Sequence, residues 1–594
     1  MKRQHAILMA AVSAAVLAAC ANQPTEISKV ADEKQAVTDQ IAVNQPGKPK
    51  TEADNGVVVT GQLAASQPAD GRFYAPPPPP PAPLMQSFAE ARAGAGYAIG
   101  PQLPAGAIDR EKYADTPING VKLVSQEPVS TFSIDVDSAS YSNVRRMLNN
   151  GALPPKDAVR IEEMVNYFDY DYALPKSKET PFETTVTVVP SPWAKGRQLM
   201  QIGVQGYDIP RDHRPPLNLT LLIDVSGSME SEDKLPLAIK SLKMLVSQLN
   251  EQDKVAIVVY AGNAGTVLEP TSGDDKAKIT AALDRLRAGG STAGGEGLRR
   301  AYDLAKQNFS KASVNRVILM TDGDFNVGIA DPAKLEDFVS RERESGVYLS
   351  VFGFGTGNYN DVMMQKLAQS GNGMAAYIDN LNEARKVLND DLSGSMFSIA
   401  NDVKIQVEFN PAKVAEYRLI GYETRLLNRE DFNNDKVDAG EIGAGASVTA
   451  IYELTPVGSS ARLIDPSRYT QTPQPVADAS KSEYAFLKLR YKIPGQDKSK
   501  LVDRPITDKD AFADIEKAPE ATRFATAVAG YGELLRGDPY LDKAFSWDTV
   551  IDMANGARGK DAFGYRTEFV QLARLAKTAA SQAPLKVPGS GVGN

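Results

Sequence analysis

Leu219-Thr220-Leu221-Leu222-Ile223-Asp224-Val225-Ser226-Gly227-Ser228 is an apolar run that stops on one carboxylate and two spaced hydroxyls. A strand with so little polar alternation is buried on both faces, the situation of a parallel strand with helices above and below it. Three further runs of this kind lie at 255–260, 317–320 and 347–354. Between them Leu235, Ile239, Leu242, Val246 and Leu249 recur every three or four residues, as do Ile279, Leu283 and Leu286. Strand and amphipathic helix alternating in this way predict a doubly wound, Rossmann-like α/β sheet over residues 215–395.

In a parallel sheet the strands finish on one edge, and open α/β sheets bind their ligands in the crevice there. Asp224 ends the first run and Asp322 ends a later one in Thr321-Asp322-Gly323. Gly289-Gly290-Ser291-Thr292-Ala293-Gly294 can bring a third loop to the same edge. Two carboxylates and three hydroxyls are hard oxygen donors, suited to Mg²⁺ first and also to Mn²⁺ or Ca²⁺, and unsuited to a metal that prefers thiolate or imidazole. The plainer reading, in which Asp224 and the serines only cap the next helix, explains one loop and leaves the other two without a role.

Asp224, Ser226, Ser228, Thr292 and Asp322 match the metal-ion-dependent adhesion site of von Willebrand factor A (VWA) domains in order and spacing. The resemblance implies that Ser226, Ser228 and Thr292 give hydroxyl oxygens to the metal, while Asp224 and Asp322 orient its waters or ligate weakly. An ion held largely by neutral oxygens stays electrophilic, so the resemblance also implies a protein partner that completes the shell with an Asp or Glu carboxylate. Phe132-Ser133-Ile134-Asp135-Val136-Asp137-Ser138-Ala139-Ser140-Tyr141, Tyr417-Arg418-Leu419-Ile420-Gly421-Tyr422-Glu423 and Asn428-Arg429-Glu430-Asp431-Phe432 resemble the flanks of bacterial VWA lipoproteins of the YfbK type. That likeness covers about residues 129–580.

Outside the central unit the pattern becomes antiparallel. A short strand at 132–134 leads to a helix at 139–148, with Asp137 or Ser138 as its N-cap, and strands follow at 185–189 and 199–204. Beyond 395, alternating strands at 403–409, 448–454 and 484–491 suit a β-sandwich, and helices at 509–535 and 562–579 close the chain. Strands of this type on both sides predict that the α/β unit is inserted into one sandwich built from the two flanks. The expected divisions are a signal at 1–20, a tether at 21–120, an N-terminal flank at 121–214, the VWA unit at 215–395, a β plus helical region at 396–583 and a tail at 584–594.

Lys2 and Arg3 precede an apolar run at 6–16, too short to span a bilayer, and then Leu17-Ala18-Ala19-Cys20. This end resembles the bacterial lipobox, in which the cysteine thiol takes a diacylglycerol. Cys20 is the single cysteine, so no internal disulfide exists and anchoring absorbs the only thiol. By likeness to Gram-negative sorting, Ala21 implies the outer membrane. The Pro, Gln and Ala-rich stretch that follows contains the run at 76–81, a stiff polyproline spacer holding the folded part off the membrane.

With 66 basic and 74 acidic residues the net charge is -8, or -10 once Lys2 and Arg3 are removed, which favours neither nucleic acid nor an anionic lipid surface. No phosphate-loop Gly-Lys-Ser/Thr is present, and Gly353-Phe354-Gly355-Thr356-Gly357 has Asn358 where a dinucleotide loop needs its third glycine, so no nucleotide is expected. Past the signal His213 is the sole histidine, and no Gly-x-Ser-x-Gly elbow occurs. Hydrolysis would need Glu296 or Asp324 as a metal-assisted base, and binding without catalysis is the expectation. Asp135-Val136-Asp137-Ser138-Ala139 has its serines out of register and reads as a helix cap. Asp431-Phe432-Asn433-Asn434-Asp435 begins like an EF-hand loop, but Lys436 and Ile442 replace its glycine and glutamate, which leaves a solvated turn. Asp324 beside Asp322 offers a second cation only weakly. A rival expectation is that the ion merely stabilises the fold and the flanks make the contacts.

Overall fold

The computed structural model describes residues 110–292, 294–323, 332–465 and 482–582. Strands β1 (Lys122–Leu123), β2 (Val129–Ser133), β3 (Phe182–Pro190) and β4 (Gln198–Gly206) precede the long apolar runs. Those runs and their neighbours form β5 (Leu217–Asp224), β6 (Lys254–Tyr260), β7 (Ala264–Ser272), β8 (Val314–Thr321), β9 (Val347–Phe354) and β10 (Ala375–Ile378). After them come β11 (Ser398–Phe409), β12 (Val414–Ile420), β13 (Gly440–Gly443), β14 (Ser447–Pro456), β15 (Glu483–Lys492) and β16 (Lys500–Thr507).

The middle group is a sheet in the order β10-β9-β8-β5-β6-β7, parallel throughout except for β7 at its edge. Leu219, Leu221 and Ile223 of β5 face the helices Leu235–Gln248 and Lys276–Asp284, while Leu222 joins the core beneath Gly294–Gln307 on the other face. Both faces are therefore covered, which is why the run needs no polar alternation. The chain leaves β5 toward β6 on one side and later returns to β8 on the other. Asp224 thus ends the strand where the winding reverses, the place such sheets open a crevice.

Two antiparallel sheets flank this unit. One has the order β1-β12-β14-β4-β3; the other has β13-β11-β15-β16, with β2 sharing the edge of β11. Each takes strands from before and after residues 217–378, so the α/β unit is an insertion, as the pattern predicts. The sheets meet face to face: Phe409 stacks on Tyr417 at 4.1 Å and lies edge-on to Tyr452 at 5.2 Å. Glu520–Arg536, Trp547–Gly556 and Tyr565–Ser581 cover the outer face of the first sheet, packing on Val189, Leu199, Ile420 and Ile451.

Three expectations need correction. The helix expected from 509 begins at Glu520, because Pro519 can stand before a helix but not inside one, and the preceding residues form short turns. Residues 110–120, assigned to the tether by composition, include ordered backbone. Arg110 N donates to Gly357 O at 2.9 Å, Lys112 N to Tyr359 O at 3.0 Å, and Glu111 holds Arg146 at 2.7 Å. Neither Asp137 nor Ser138 caps the helix Ala139–Asn149 through its side chain; the carboxylate of Glu163 accepts from Ser140 N at 2.8 Å instead. Asp135 and Asp137 are buried against Arg425, and Asp137 also accepts from Ala375 N at 2.8 Å, tying β10 to the flank. Besides the local bond from Asp137 N to Asp135, the two carboxylates thus serve partners more than 200 residues away, which spacing in the sequence does not reveal.

Candidate metal centre

Asp224 is the last residue of β5, and the chain turns sharply after it. Ser226 N donates to Asp224 Oδ1 at 2.8 Å, and Gly227–Met229 forms one tight turn. Four loops are stitched together here. Val225 N donates to Tyr260 O at 3.0 Å, Gly289 N to Val225 O at 2.8 Å and Gly227 N to Gly290 O at 3.0 Å. The last two bonds dock the loop bearing Thr292 on the first loop. From β8, Thr321 Oγ1 donates to Asp224 Oδ2 at 3.4 Å and accepts from Gly323 N at 3.2 Å, which fixes the turn carrying Asp322. Gly323 has φ +95°, and a Cβ there would stand 2.6 Å from Asn358 O and Asn360 N, so only glycine lets this turn pass.

The loops bearing the expected donors therefore meet at one sheet edge, where Ser226 is as buried as the two carboxylates. Asp224 and Asp322 are 0 % and 1 % exposed, whereas Ser228 and Thr292 are half-buried at the mouth. Burial, opposed by hydrogen bonds from Ser226 and reinforced by Asp322, pushes the Asp224 carboxyl up to about 6. Two acids pressed together out of water are the environment a cation relieves. Ser226 Oγ and Ser228 Oγ stand 3.0 Å apart. Neighbouring oxygens on an octahedral Mg²⁺, at about 2.0–2.1 Å from the ion, are about 2.9 Å apart. The donor chemistry, and the spacing of this one hydroxyl pair, fit a small hard cation, which Asp224, Ser226, Ser228, Thr292 and Asp322 would hold.

Reading the sequence missed Lys234. Its ammonium donates to Asp322 Oδ2 at 2.8 Å and to Ser228 O at 2.9 Å, bridging the loops that follow β5 and β8 from within the crevice. A signal was available: Lys234 stands directly before the helix Leu235–Gln248, where the helix end is already positive and a cation is disfavoured without an anionic partner. Tyr260 was also missed. Burial and the adjacent Asp224 push its phenol up, so its proton stays available to that carboxylate.

Other candidates fall elsewhere. Cys20, the run at 76–81 and Asp324 lie outside the described residues. Glu296 is exposed in the first turn of its helix, and His213 is an exposed residue of the turn Arg211–His213. Around 431–435 Lys404 donates to Asp431 O and Asn434 O at 3.1 and 2.7 Å, and Lys492 to Asp435 O at 2.6 Å. Two ammoniums already hold the carbonyls there. Gly357 N is taken by Glu111 Oε1 at 3.1 Å, so that glycine turn serves as the seat of residues 110–112, an entry strap, rather than as a phosphate loop. A separate group, Asp402, Asp438 and Glu441, has carboxylate oxygens within 4.8 Å of one another, but Lys492 and Arg343 already sit on Asp402 and Asp438 at 2.6 and 2.9 Å.

Comparison with known proteins matches the family descriptions "von Willebrand factor type A domain" over residues 218–390, "Uncharacterized protein YfbK, C-terminal" over 394–579 and "von Willebrand factor" over 107–201. Uncharacterized protein YfbK of Escherichia coli (strain K12) is 48% identical over 471 residues, covering 78% of this chain and 81% of that protein. Human inter-alpha-trypsin inhibitor heavy chain H3 is 25% identical over 260 residues, 40% of this chain and 28% of its own length. Among solved structures, von Willebrand factor type A from Catenulispora acidiphila has a TM-score of 0.38 at 16% identity and covers 68% of this chain and 91% of that one.

Proposed function

The chain belongs to the YfbK-type family of VWA proteins, and from that premise we propose that it is a non-enzymatic binding protein which grips a protein partner through a divalent cation in the crevice at Asp224. A VWA domain suggests interaction or adhesion in general terms. The observation that supports the cation-dependent form is the pair of hydroxyls 3.0 Å apart over two buried carboxylates at the point where the sheet winding reverses. Asp224, Ser226, Ser228, Thr292 and Asp322 would hold the ion, Mg²⁺ before Mn²⁺ or Ca²⁺, with a coordination position turned to solvent. An Asp or Glu of the partner fills that position in this reading. The ion supplies a Lewis-acidic anchor, and the chain supplies its rigid orientation.

We further propose that Cys20 carries a lipid and places the protein in the cell envelope, at the outer membrane of a Gram-negative bacterium. No helix of the described residues is long and apolar enough to cross a membrane. The test is capture of partners from envelope extract on the immobilised protein. Chelator and Asp224→Ala should each abolish capture while circular dichroism stays unchanged. If chelation only lowers the melting temperature and capture persists, the flanks make the contacts and the ion is structural.

A further inference from the structure

Among the described residues, the buried charges of the crevice are Asp224, Asp322 and Lys234. Glu230 and Glu232 on the neighbouring loop are exposed. The Lys234 side chain is held along its length. It crosses Gly355, whose φ is +73°, so closely that a Cβ at that glycine would stand 2.2 Å from Lys234 Cγ and 2.4 Å from Lys234 Cε. With the stem laid in this slot and Nζ bonded to Asp322 Oδ2 and Ser228 O, the ammonium is a fixed part of the site rather than a surface lysine that swings away.

We propose that Lys234 is a built-in counter-charge that couples metal loading to the arrival of an anionic ligand. The inference rests on the cation-site reading above. The two carboxylates and the ammonium sum to one negative charge, so a divalent ion leaves the site at plus one. One carboxylate from a partner then brings it to zero. Without Lys234 the loaded site would be neutral already, and the same carboxylate would leave an uncompensated negative charge in a poorly hydrated crevice, which is costly. Lys234 thus weakens the bare metal and strengthens the ternary complex. It makes the site prefer an acidic ligand to a neutral carbonyl or hydroxyl. Lys234 is a specificity-determining residue in this scheme, acting through Asp322 and the field it adds.

The experiment titrates Mn²⁺ into the full chain in detergent and reads the free ion by electron paramagnetic resonance, with acetate or chloride as the accompanying anion at equal ionic strength. Lys234→Met should bind Mn²⁺ about tenfold more tightly or better, since a neighbouring positive charge has been removed. Acetate should tighten Mn²⁺ binding to the wild type and to Lys234→Arg, and leave Lys234→Met unaffected. Without metal, Lys234→Met should melt lower than wild type, because buried Asp322 loses its ammonium partner, and Mn²⁺ should recover more of its melting temperature. Equal Mn²⁺ affinity in wild type and Lys234→Met, or an acetate effect that persists in Lys234→Met, overturns the proposal. Absence of any Mn²⁺ binding that Asp224→Ala removes overturns the underlying cation-site reading instead. Should Lys234→Met not fold, Gly355→Ala displaces the stem while keeping the lysine, and the same titration applies.

Discussion

Glu163, Asp135 and Glu423 each hold a guanidinium, from Arg160, Arg425 and Arg536. Glu162, buried among them, holds none among the described residues, and burial first, then Glu423, Asp135 and Glu163, push its carboxyl up to about 8. The folded chain therefore keeps a proton that the unfolded chain, with an ordinary glutamate, has lost. Stability falls as pH rises from about 4.5 toward 8 and stays reduced above that. Glu162→Gln should be isosteric and free of this penalty. It should raise unfolding free energy by on the order of 5 kcal/mol above pH 8 and leave it unchanged near pH 4, read from urea melts at the two pH values. No part of this was legible in the sequence, because Glu162 and Glu423 come together only through the fold. Asp224, Ser226, Ser228 and Asp322 were legible, because a buried strand fixes where its last residue emerges and the next few follow within one turn. Lys234 lies beyond that turn, where spacing no longer fixes direction.

At the level of elements, Arg145 ties the helix Ala139–Asn149 to three other parts of the fold. Arg145 binds Asp379, donates to Glu383 at 2.7 Å and Tyr167 OH at 3.0 Å, and reaches Glu568 at 3.0 Å. It thereby joins the N-terminal flank, the end of the α/β unit and the helix Tyr565–Ser581. Arg145→Ala leaves Asp379 and Glu383 buried without their cation and should destabilise by about 3–5 kcal/mol, with faster amide exchange in 381–385 and in the first turn of that last helix. Removing Glu568, whose side chain is 30 % exposed, should cost far less. Strands buried on both faces were the easiest elements to read. The short helix Trp547–Gly556 has no long amphipathic period, and only its Ser546 cap, accepting from Thr549 N, marks it.

On the scale of the molecule, one continuous core runs from Leu219 and Ile223 of the inserted sheet to Ile405 and Val448 of the sandwich. The inserted sheet and the sandwich should therefore unfold as a unit. Scanning calorimetry should give one transition whose van't Hoff and calorimetric enthalpies agree, and saturating Mg²⁺ should move that whole transition upward. At a hundredfold excess over the dissociation constant the gain is about 2.7 kcal/mol. Two separate transitions, only one of them metal-sensitive, would contradict this. The insertion itself was readable from antiparallel pattern on both sides of a parallel one. Which strands pair was not, because β11 shares one edge between β13 and β2, from opposite sides of the insertion.

The entry strap has a mechanical meaning. Arg110 and Lys112 are bonded to Gly357 and Tyr359, and the backbone at 358–360 lies directly on Gly323, next to Asp322. A pull on the chain ahead of Arg110 would thus reach the shelf that supports the Asp322 turn, and through Glu111 the helix Ala139–Asn149. Under the function proposed above, load and grip would share a few residues, so that tension ahead of Arg110 and occupancy of the crevice would be felt by the same turn.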